Sequence, residues 1–423
     1  MSSPVSNIKV IFKVIGVNLI IVGIAMTLCS LVSLHYSESP WPLLISAAIS
    51  LVVGLFFTLT LKLSSSDLIK RNDAYLIVTL SWLFISLLGS LPYLLSGAIP
   101  SIVDAFFESV SGFTTTGSSI LTEIEALPKS ILFWRSMTHW IGGIGIIVLV
   151  IVVMPALQIG GYRLFTLESS LQEKIRPTIK GVGNRLLIIY SGLTLTEIVL
   201  LQLGGMNLYE STCHAFGTVA TGGFSPKNTS IADYSPYIQY VVMVFMFLAG
   251  TNFVIHYYIL KRQFSKVRSN EEFRLYTGIV LGLGILITAI LFFKMDKPLE
   301  HAFRESFFQV ISIITCTGYA TTDYLLWPHY AWIIIFFAMF LGGSTGSTAG
   351  GIKIARHLIA FKNLRRAFRQ VIFPHGIFNV RLNKRTLSNE ENISIFTFIS
   401  FYFFVFIVGS MVLVFMGIDG ATA

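Results

Sequence analysis

The chain of 423 residues is 54% hydrophobic and only 12% charged, with a mean hydropathy of +0.75. A soluble domain carries about 25% charged residues, so half that share, with 35 Phe, excludes a disordered chain, a disulfide scaffold and an ordinary soluble enzyme. A polytopic membrane protein remains. Cys29, Cys213 and Cys316 are an odd count without metal-type spacing, so neither a disulfide framework nor a zinc site is expected.

Only a helix satisfies its own backbone in lipid, and about 20 apolar residues are needed to cross. In chain order such runs cover 10–34, 41–61, 74–96, 131–154, 185–204, 236–260, 273–293 and 392–416. Another begins near 330, is interrupted by glycines at 342–351 and resumes to about 361, which makes nine crossings, one of them broken. The first run is too long for a signal peptide and lacks a small-residue cleavage site, so it is read as a retained helix. With the N-terminus in the cytoplasm, the inner segments (the N-terminus, 62–73, 155–185, 261–274 and 353–391) hold 24 of the 30 Lys and Arg. That bias obeys the positive-inside rule. The net charge of +9 is therefore topological and implies the lipid bilayer, not nucleic acid, as partner. Asp104, Glu108, Glu123, Glu125, Glu210, Glu300, Glu305 and Asp323 fall on the outer side. They form either a negative vestibule for cations or ordinary solvated loop charge.

Those outer segments contain a repeat. After the third run the chain reads Asp104-Ala105-Phe106-Phe107-Glu108-Ser109-Val110-Ser111-Gly112-Phe113-Thr114-Thr115-Thr116-Gly117. After the seventh it reads Glu305-Ser306-Phe307-Phe308-Gln309-Val310-Ile311-Ser312-Ile313-Ile314-Thr315-Cys316-Thr317-Gly318. A weaker copy opens at Glu210-Ser211 and closes at Ala220-Thr221-Gly222-Gly223-Phe224. Each copy predicts a short half-membrane helix followed by an extended Thr/Gly stretch. Irregular backbone at membrane depth is tolerated where it lines a water-filled path. Glycine lets the backbone turn so that successive carbonyls face one way, and such carbonyls, with threonine hydroxyls, replace the hydration shell of an alkali cation. The expected cation ligands are Thr114, Thr115, Thr116 and Gly117, then Ala220, Thr221, Gly222 and Gly223, then Thr315, Cys316, Thr317 and Gly318.

The string Leu341-Gly342-Gly343-Ser344-Thr345-Gly346-Ser347-Thr348-Ala349-Gly350-Gly351-Ile352-Lys353-Ile354-Ala355-Arg356 completes the pattern. With the three pore loops, it makes the chain resemble the Trk/Ktr/HKT superfamily of potassium transporters over nearly its whole length. The resemblance implies an all-α polytopic membrane protein with helix–pore-loop–helix repeats in a pseudo-fourfold arrangement around a central pore, preceded by two extra helices. On this reading residues 1–73 form the two leading helices, 74–160 the first repeat, 161–265 the second, 266–370 the third with a broken gate helix, and 371–423 the start of a fourth. Thr422-Ala423 aligns with Asp104-Ala105 as the start of a fourth pore helix, so the chain is expected to be a shortened form of a four-loop protein. Gly117, Gly223 and Gly318 align at one ring, with Gly222 the rival in the second loop. The resemblance further implies potassium uptake across the bacterial cytoplasmic membrane, a homodimer, and a cytoplasmic TrkA-like nucleotide-binding ring for which the basic 356–385 segment is a dock. Conduction as a channel and symport with protons or sodium both fit, and a sodium-permeable relative is the alternative within the class.

Gly342, Gly343, Ser344, Thr345, Gly346, Ser347, Thr348, Ala349, Gly350 and Gly351 admit other readings. Gly342-Gly343-Ser344-Thr345-Gly346 fits a nucleophile elbow, but it interrupts a membrane helix instead of joining strand to helix, which leaves an intramembrane hydrolase using Ser344 as the rival of another class. Lys353 is too far from Gly351 for a phosphate loop. Each interior glycine costs a helix about 1 kcal/mol relative to alanine, and close packing needs fewer of them, so the segment is read as an intramembrane gate. Lys353 and Arg356 are either its lower charged elements or interface anchors. Glu197 lies inside a span, where a charge needs a partner. His139, His214 and His256 are read as packed polar residues. No catalytic residue and no bound cofactor are expected; the transported potassium is the only ion implied.

Overall fold

The computed structural model describes residues 7–61, 71–148, 179–383 and 385–419. The end of the 131–154 run, most of the basic segments 62–73 and 155–185, and Thr422-Ala423 lie outside these residues.

Helices α1 (Ile8–His35) and α2 (Trp41–Thr60) form a hairpin. They meet at a glycine pair: a Cβ on Gly16 would lie 2.8 Å from the Gly54 carbonyl oxygen, and one on Gly54 would lie 2.7 Å from that of Gly16. Small residues at both positions let the two backbones touch, the usual source of helix association in lipid.

Three repeats follow. In the first, α3 (Arg71–Gly89) and α4 (Leu91–Leu95) lead to the short α5 (Ile102–Phe113), and α6 (Lys129–Val148) returns. In the second, α7 (Ile179–Leu203) leads to the short α8 (Leu208–Val219), and α9 (Pro236–Ala249) and α10 (Phe253–Leu260) return. The 236–260 run is thus not one straight crossing but a pair of helices bent by 103°. The brief α11 (Phe264–Ser269) joins it to the third repeat, where α12 (Glu271–Met295), the short α13 (Leu299–Ile314) and α14 (His329–Ala338) repeat the order. At 10 residues, α14 is about 15 Å long, half of a bilayer's roughly 30 Å core.

The short helices begin where their sequences dictate. Ser101 Oγ accepts from the Asp104 amide at 3.4 Å and Asn207 Oδ1 from the Glu210 amide at 2.8 Å, with the acid in the first turn where the helix dipole favours it. The first and third repeats also return alike. Turns of 3₁₀ helix at Ile124–Ala126 and Tyr324–Leu326 are followed by Leu127-Pro128 and Trp327-Pro328, which open α6 and α14.

Beyond the interrupted segment, α15 (Ile354–Ile372) runs eleven residues past the end expected near 361. A two-stranded hairpin follows, Arg381 facing Thr386 and Leu382 facing Arg385, and leads to α16 (Asn389–Phe415), opened by a Ser388–Glu391 capping box. Among the described residues, six helical stretches are long and apolar enough to cross a membrane, and the bent pair α9–α10 makes a seventh. Two large apolar cores hold the molecule together. One joins α1–α6 through Ile15, Leu19, Met26 and Trp134, and the other joins repeats two and three through Met246, Tyr276, Phe308 and Ile335.

Candidate functional site

Each short helix ends in the same four-residue loop. Thr115 and Gly117, Thr221 and Gly223, and Cys316 and Gly318 all have positive φ, between +54° and +83°. The residues that open the loops, Thr114, Ala220 and Thr315, have φ between −81° and −77°. The amides of the first three loop residues turn back onto their own helix. Thr116, Gly222 and Thr317, for example, donate to the carbonyls of Ser111, Gly217 and Ser312 at 2.9, 2.8 and 2.9 Å. Gly223, not its rival Gly222, therefore stands in register with Gly117 and Gly318.

With their amides satisfied behind them, the loops leave their carbonyls free. Among the described residues, those of Thr114–Gly117, Thr221–Gly223 and Thr315–Gly318 accept no hydrogen bond. The loops also adjoin one another by a repeated contact. A Cβ on Gly117 would lie 2.0 Å from the carbonyl oxygen of Gly222, and one on Gly223 would lie 1.8 Å from that of Thr317. Only glycine fits a left-handed residue pressed on its neighbour's backbone. The threonines pair within a loop, Thr114 with Thr116 at 2.8 Å and Thr315 with Thr317 at 2.7 Å.

A polar layer behind the loops fixes them. Arg135 of α6 and Glu108 of α5 form an ion pair at 2.6 Å, 3% and 0% exposed. Glu108 also accepts from Ser119 Oγ and the Ile120 amide, and Arg135 donates to the Ser225 carbonyl. Burying two charges costs free energy unless other partners offset it, and here Ser119, Ile120 and the Ser225 carbonyl supply them. Phe224 lies between the Arg135 guanidinium, 3.5 Å from its ring, and the His139 ring, stacked at 4.0 Å. His214 bonds the Glu210 carbonyl and Ser225 Oγ, and His256 bonds the Leu248 carbonyl, the packed roles expected for them. Glu197 is fully buried behind the second loop. The outer acids are less of a vestibule than their number suggested: besides Glu108, Glu305 pairs with Lys297 at 2.5 Å and Glu300 with Arg304 at 2.7 Å, while Glu123 and Asp323 remain exposed.

Tyr319, absent from the expected site, fills a gap in the repeat. Ser111 Oγ donates to the Ser118 carbonyl and Ser312 Oγ to the Tyr319 carbonyl, at 2.5 and 2.7 Å. The second repeat has Gly217 at that position, and the Tyr319 hydroxyl donates instead to the Phe224 carbonyl at 3.2 Å and the His214 carbonyl at 3.1 Å. A Cβ on Gly217 would lie 2.3 Å from that hydroxyl. Exchange of a serine for a glycine along the aligned repeat was the signal that a hydroxyl must come from elsewhere.

The 342–351 segment is closed at its neck, where the Gly342 amide donates to the Ile352 carbonyl at 2.9 Å. It packs against the undersides of the second and third loops. Thr348 Oγ1 lies 3.0 Å from the Val219 carbonyl, just before Ala220, and 3.3 Å from that of Ala249. A Cβ on Gly350 would lie 3.5 Å from Cys316 Cβ. The segment also enters the bend of α9–α10: the Ser344 amide donates to the Gly250 carbonyl at 2.8 Å, and the Phe253 amide to the Gly346 carbonyl at 3.1 Å. Two broken helices thus satisfy each other's freed backbone groups, as membrane depth demands. Glu272, also unforeseen, accepts from the Thr345 amide at 2.6 Å and the Ala355 amide at 3.2 Å. Lys353 donates to the Ala349 carbonyl, whereas Arg356 stacks over Phe398 of α16, 3.9 Å from its ring. Ser344 Oγ is buried with no hydrogen-bond partner among the described residues.

A family model described as TrkH, cation transport protein, matches residues 46–419. The chain is 32% identical over 425 residues to the Trk system potassium uptake protein TrkH of Escherichia coli (strain K12), covering 99% of this chain and 88% of that one. It is 34% identical over 422 residues to the Trk system potassium uptake protein TrkI of Halomonas elongata, covering 98% and 84%. The crystal structure of the potassium transporter TrkH from Vibrio parahaemolyticus superposes with a TM-score of 0.89 at 30% identity, over 98% of this chain and 87% of that one.

Proposed function

This chain belongs to the TrkH family of cation transport proteins, and we propose that it carries potassium into the cell across the bacterial cytoplasmic membrane, its N-terminus inside. The path is walled by Thr114–Gly117, Ala220–Gly223 and Thr315–Gly318, and the free carbonyls of Thr114–Gly117, Thr221–Gly223 and Thr315–Gly318 replace the water a potassium ion sheds. Alternation of φ sign along each loop is what lets successive carbonyls turn to one side. The ion is cargo, so neither a resident cofactor nor a catalytic residue takes part. Carbonyl ligands offset its dehydration, and the membrane potential, about 2.3 kcal/mol per charge per 100 mV, drives entry. The 342–351 segment is the gate, and opening requires that Thr348 release the Val219 carbonyl under the second loop and the Ala249 carbonyl at the end of α9. A homodimer and a cytoplasmic nucleotide-binding ring that acts on the gate complete the reading.

The observation that carries this proposal is the threefold recurrence of one four-residue backbone, with Gly117 and Gly223 each against the next loop. Its test is ion flux through the full-length protein in liposomes. Potassium uptake should exceed sodium uptake at least tenfold, a difference of about 1.4 kcal/mol at the barrier. Equal uptake of the two ions would overturn it. Uptake that responds to an imposed proton gradient at zero membrane potential would mark symport, and indifference to the gradient would mark channel-like conduction.

A further inference from the structure

Helix α15 leaves the 342–351 segment directly, and Glu272 ties the two together through the Thr345 and Ala355 amides. Its side chains sort into three sectors. Ile359 is buried with Val380, Leu382, Leu387 and Ile395, and Asn363 donates to Asn392 Oδ1 at 2.8 Å, so this sector faces the hairpin and α16. Phe361, Leu364, Phe368, Val371 and Ile372 share a second face at helical spacing and are 54% to 80% exposed. Between the two sectors lie Lys362, Arg365, Arg366 and Arg369. With Arg381 and the segment 377–380 they line an open cavity of about 390 Å³. Lys362 pairs with Glu271. Among the described residues no carboxylate pairs with Arg365, Arg366 or Arg369.

A helix with an arginine-rich flank beside an aromatic, apolar face lies flat in a membrane interface. The guanidinium fork matches a phosphate ester. The family resemblance assigned the basic 356–385 segment to a cytoplasmic ring, but five exposed apolar side chains beside these arginines suit acyl chains better than a soluble protein. We propose that the cavity between α15 and residues 377–381 binds the phosphate of an anionic phospholipid, its acyl chains lying along Phe361, Leu364 and Phe368. Because α15 and the 342–351 segment share Glu272, occupancy restrains the gate. This coupling rests on the transport reading above; the lipid site itself does not.

Two readouts separate them. Full-length protein in detergent is titrated with phosphatidylglycerol, with phosphatidylcholine of the same chains, and with inorganic phosphate, and bound lipid is counted by native mass spectrometry. Phosphatidylglycerol should bind in preference to phosphatidylcholine. R365Q/R366Q/R369Q should weaken it about a hundredfold, roughly fivefold per arginine, and K261Q/R262Q/R268Q, which lies outside the cavity, should not. R369Q alone should give about fivefold and guards against misfolding of the triple variant. Unchanged lipid binding in these variants overturns the site. So does complete displacement of lipid by millimolar inorganic phosphate, or loss of a cytoplasmic protein partner with lipid binding intact. In liposomes, flux should fall severalfold as the phosphatidylglycerol fraction rises, and the triple variant should be insensitive. A wild type equally insensitive overturns the coupling to the gate, while absence of any cation flux with lipid binding intact counts against the transport reading alone.

Discussion

Gly217 and Tyr319 show how one hydroxyl keeps the second loop in place. Without Tyr319 Oη, the buried Phe224 carbonyl loses its partner, at a cost of about 1–3 kcal/mol. Tyr319→Phe should therefore lower the thermal midpoint in detergent and the preference for potassium over sodium. Gly217→Ser alone should do worse, because its Cβ meets the Tyr319 hydroxyl at 2.3 Å. Combined, the two changes rebuild the arrangement of Ser111 and Ser312 and should recover much of the loss; a double variant no better than Tyr319→Phe would contradict the assignment. At Gly117 any side chain must take φ +80° and meet the Gly222 carbonyl, so Gly117→Ser should cut potassium selectivity about tenfold in paired uptake assays, and unchanged selectivity would remove Gly117 from the ion path. The aligned Thr-x-Thr-Gly ends announced these glycines from sequence. The choice between Gly222 and Gly223 was not legible there, because it depends on which residue takes positive φ, and adjacent glycines accept it equally.

The element that sequence described least well is the 236–260 run. Its apolarity is continuous, and three residues, Gly250, Thr251 and Asn252, suffice to bend it by 103°. The groups that stabilise the bend come from 344 and 346, about 90 residues away, where no local pattern points to them. The break at 342–351 was legible for the opposite reason, since its glycine density is far above what a helix tolerates. Its role is best tested by the smallest change. Thr348→Val keeps the shape and removes the hydroxyl shared by Val219 and Ala249, a net loss of about 0.5–1.5 kcal/mol. Resting flux should rise severalfold at equal expression, whereas unchanged or reduced flux would mean that the segment is packing, not a gate. Deleting 344–349 is a harsher version, because it also strips partners from Gly250, Phe253 and Glu272.

For the whole molecule, two patterns of different origin meet. The Lys and Arg bias sets the sides we propose for the loops, and the repeat brings the loops together by the contact that runs from Gly117 to Gly222 and from Gly223 to Thr317. The sides are checked by thiol labelling in cells: a cysteine replacing exposed Glu123 should react from outside, and one replacing exposed His375 only after permeabilisation. The inverse pattern would reverse the direction of transport. That Thr114–Gly117, Ala220–Gly223 and Thr315–Gly318 together hold the ion is tested most directly by seeing the ion there. In crystals of the full-length protein grown in rubidium, a potassium substitute, anomalous difference density should mark a site on the shared axis, ligated by carbonyls of all three loops, and should vanish in Gly117→Ser. Density at side-chain carboxylates instead, or a loop site that the substitution leaves intact, would contradict it.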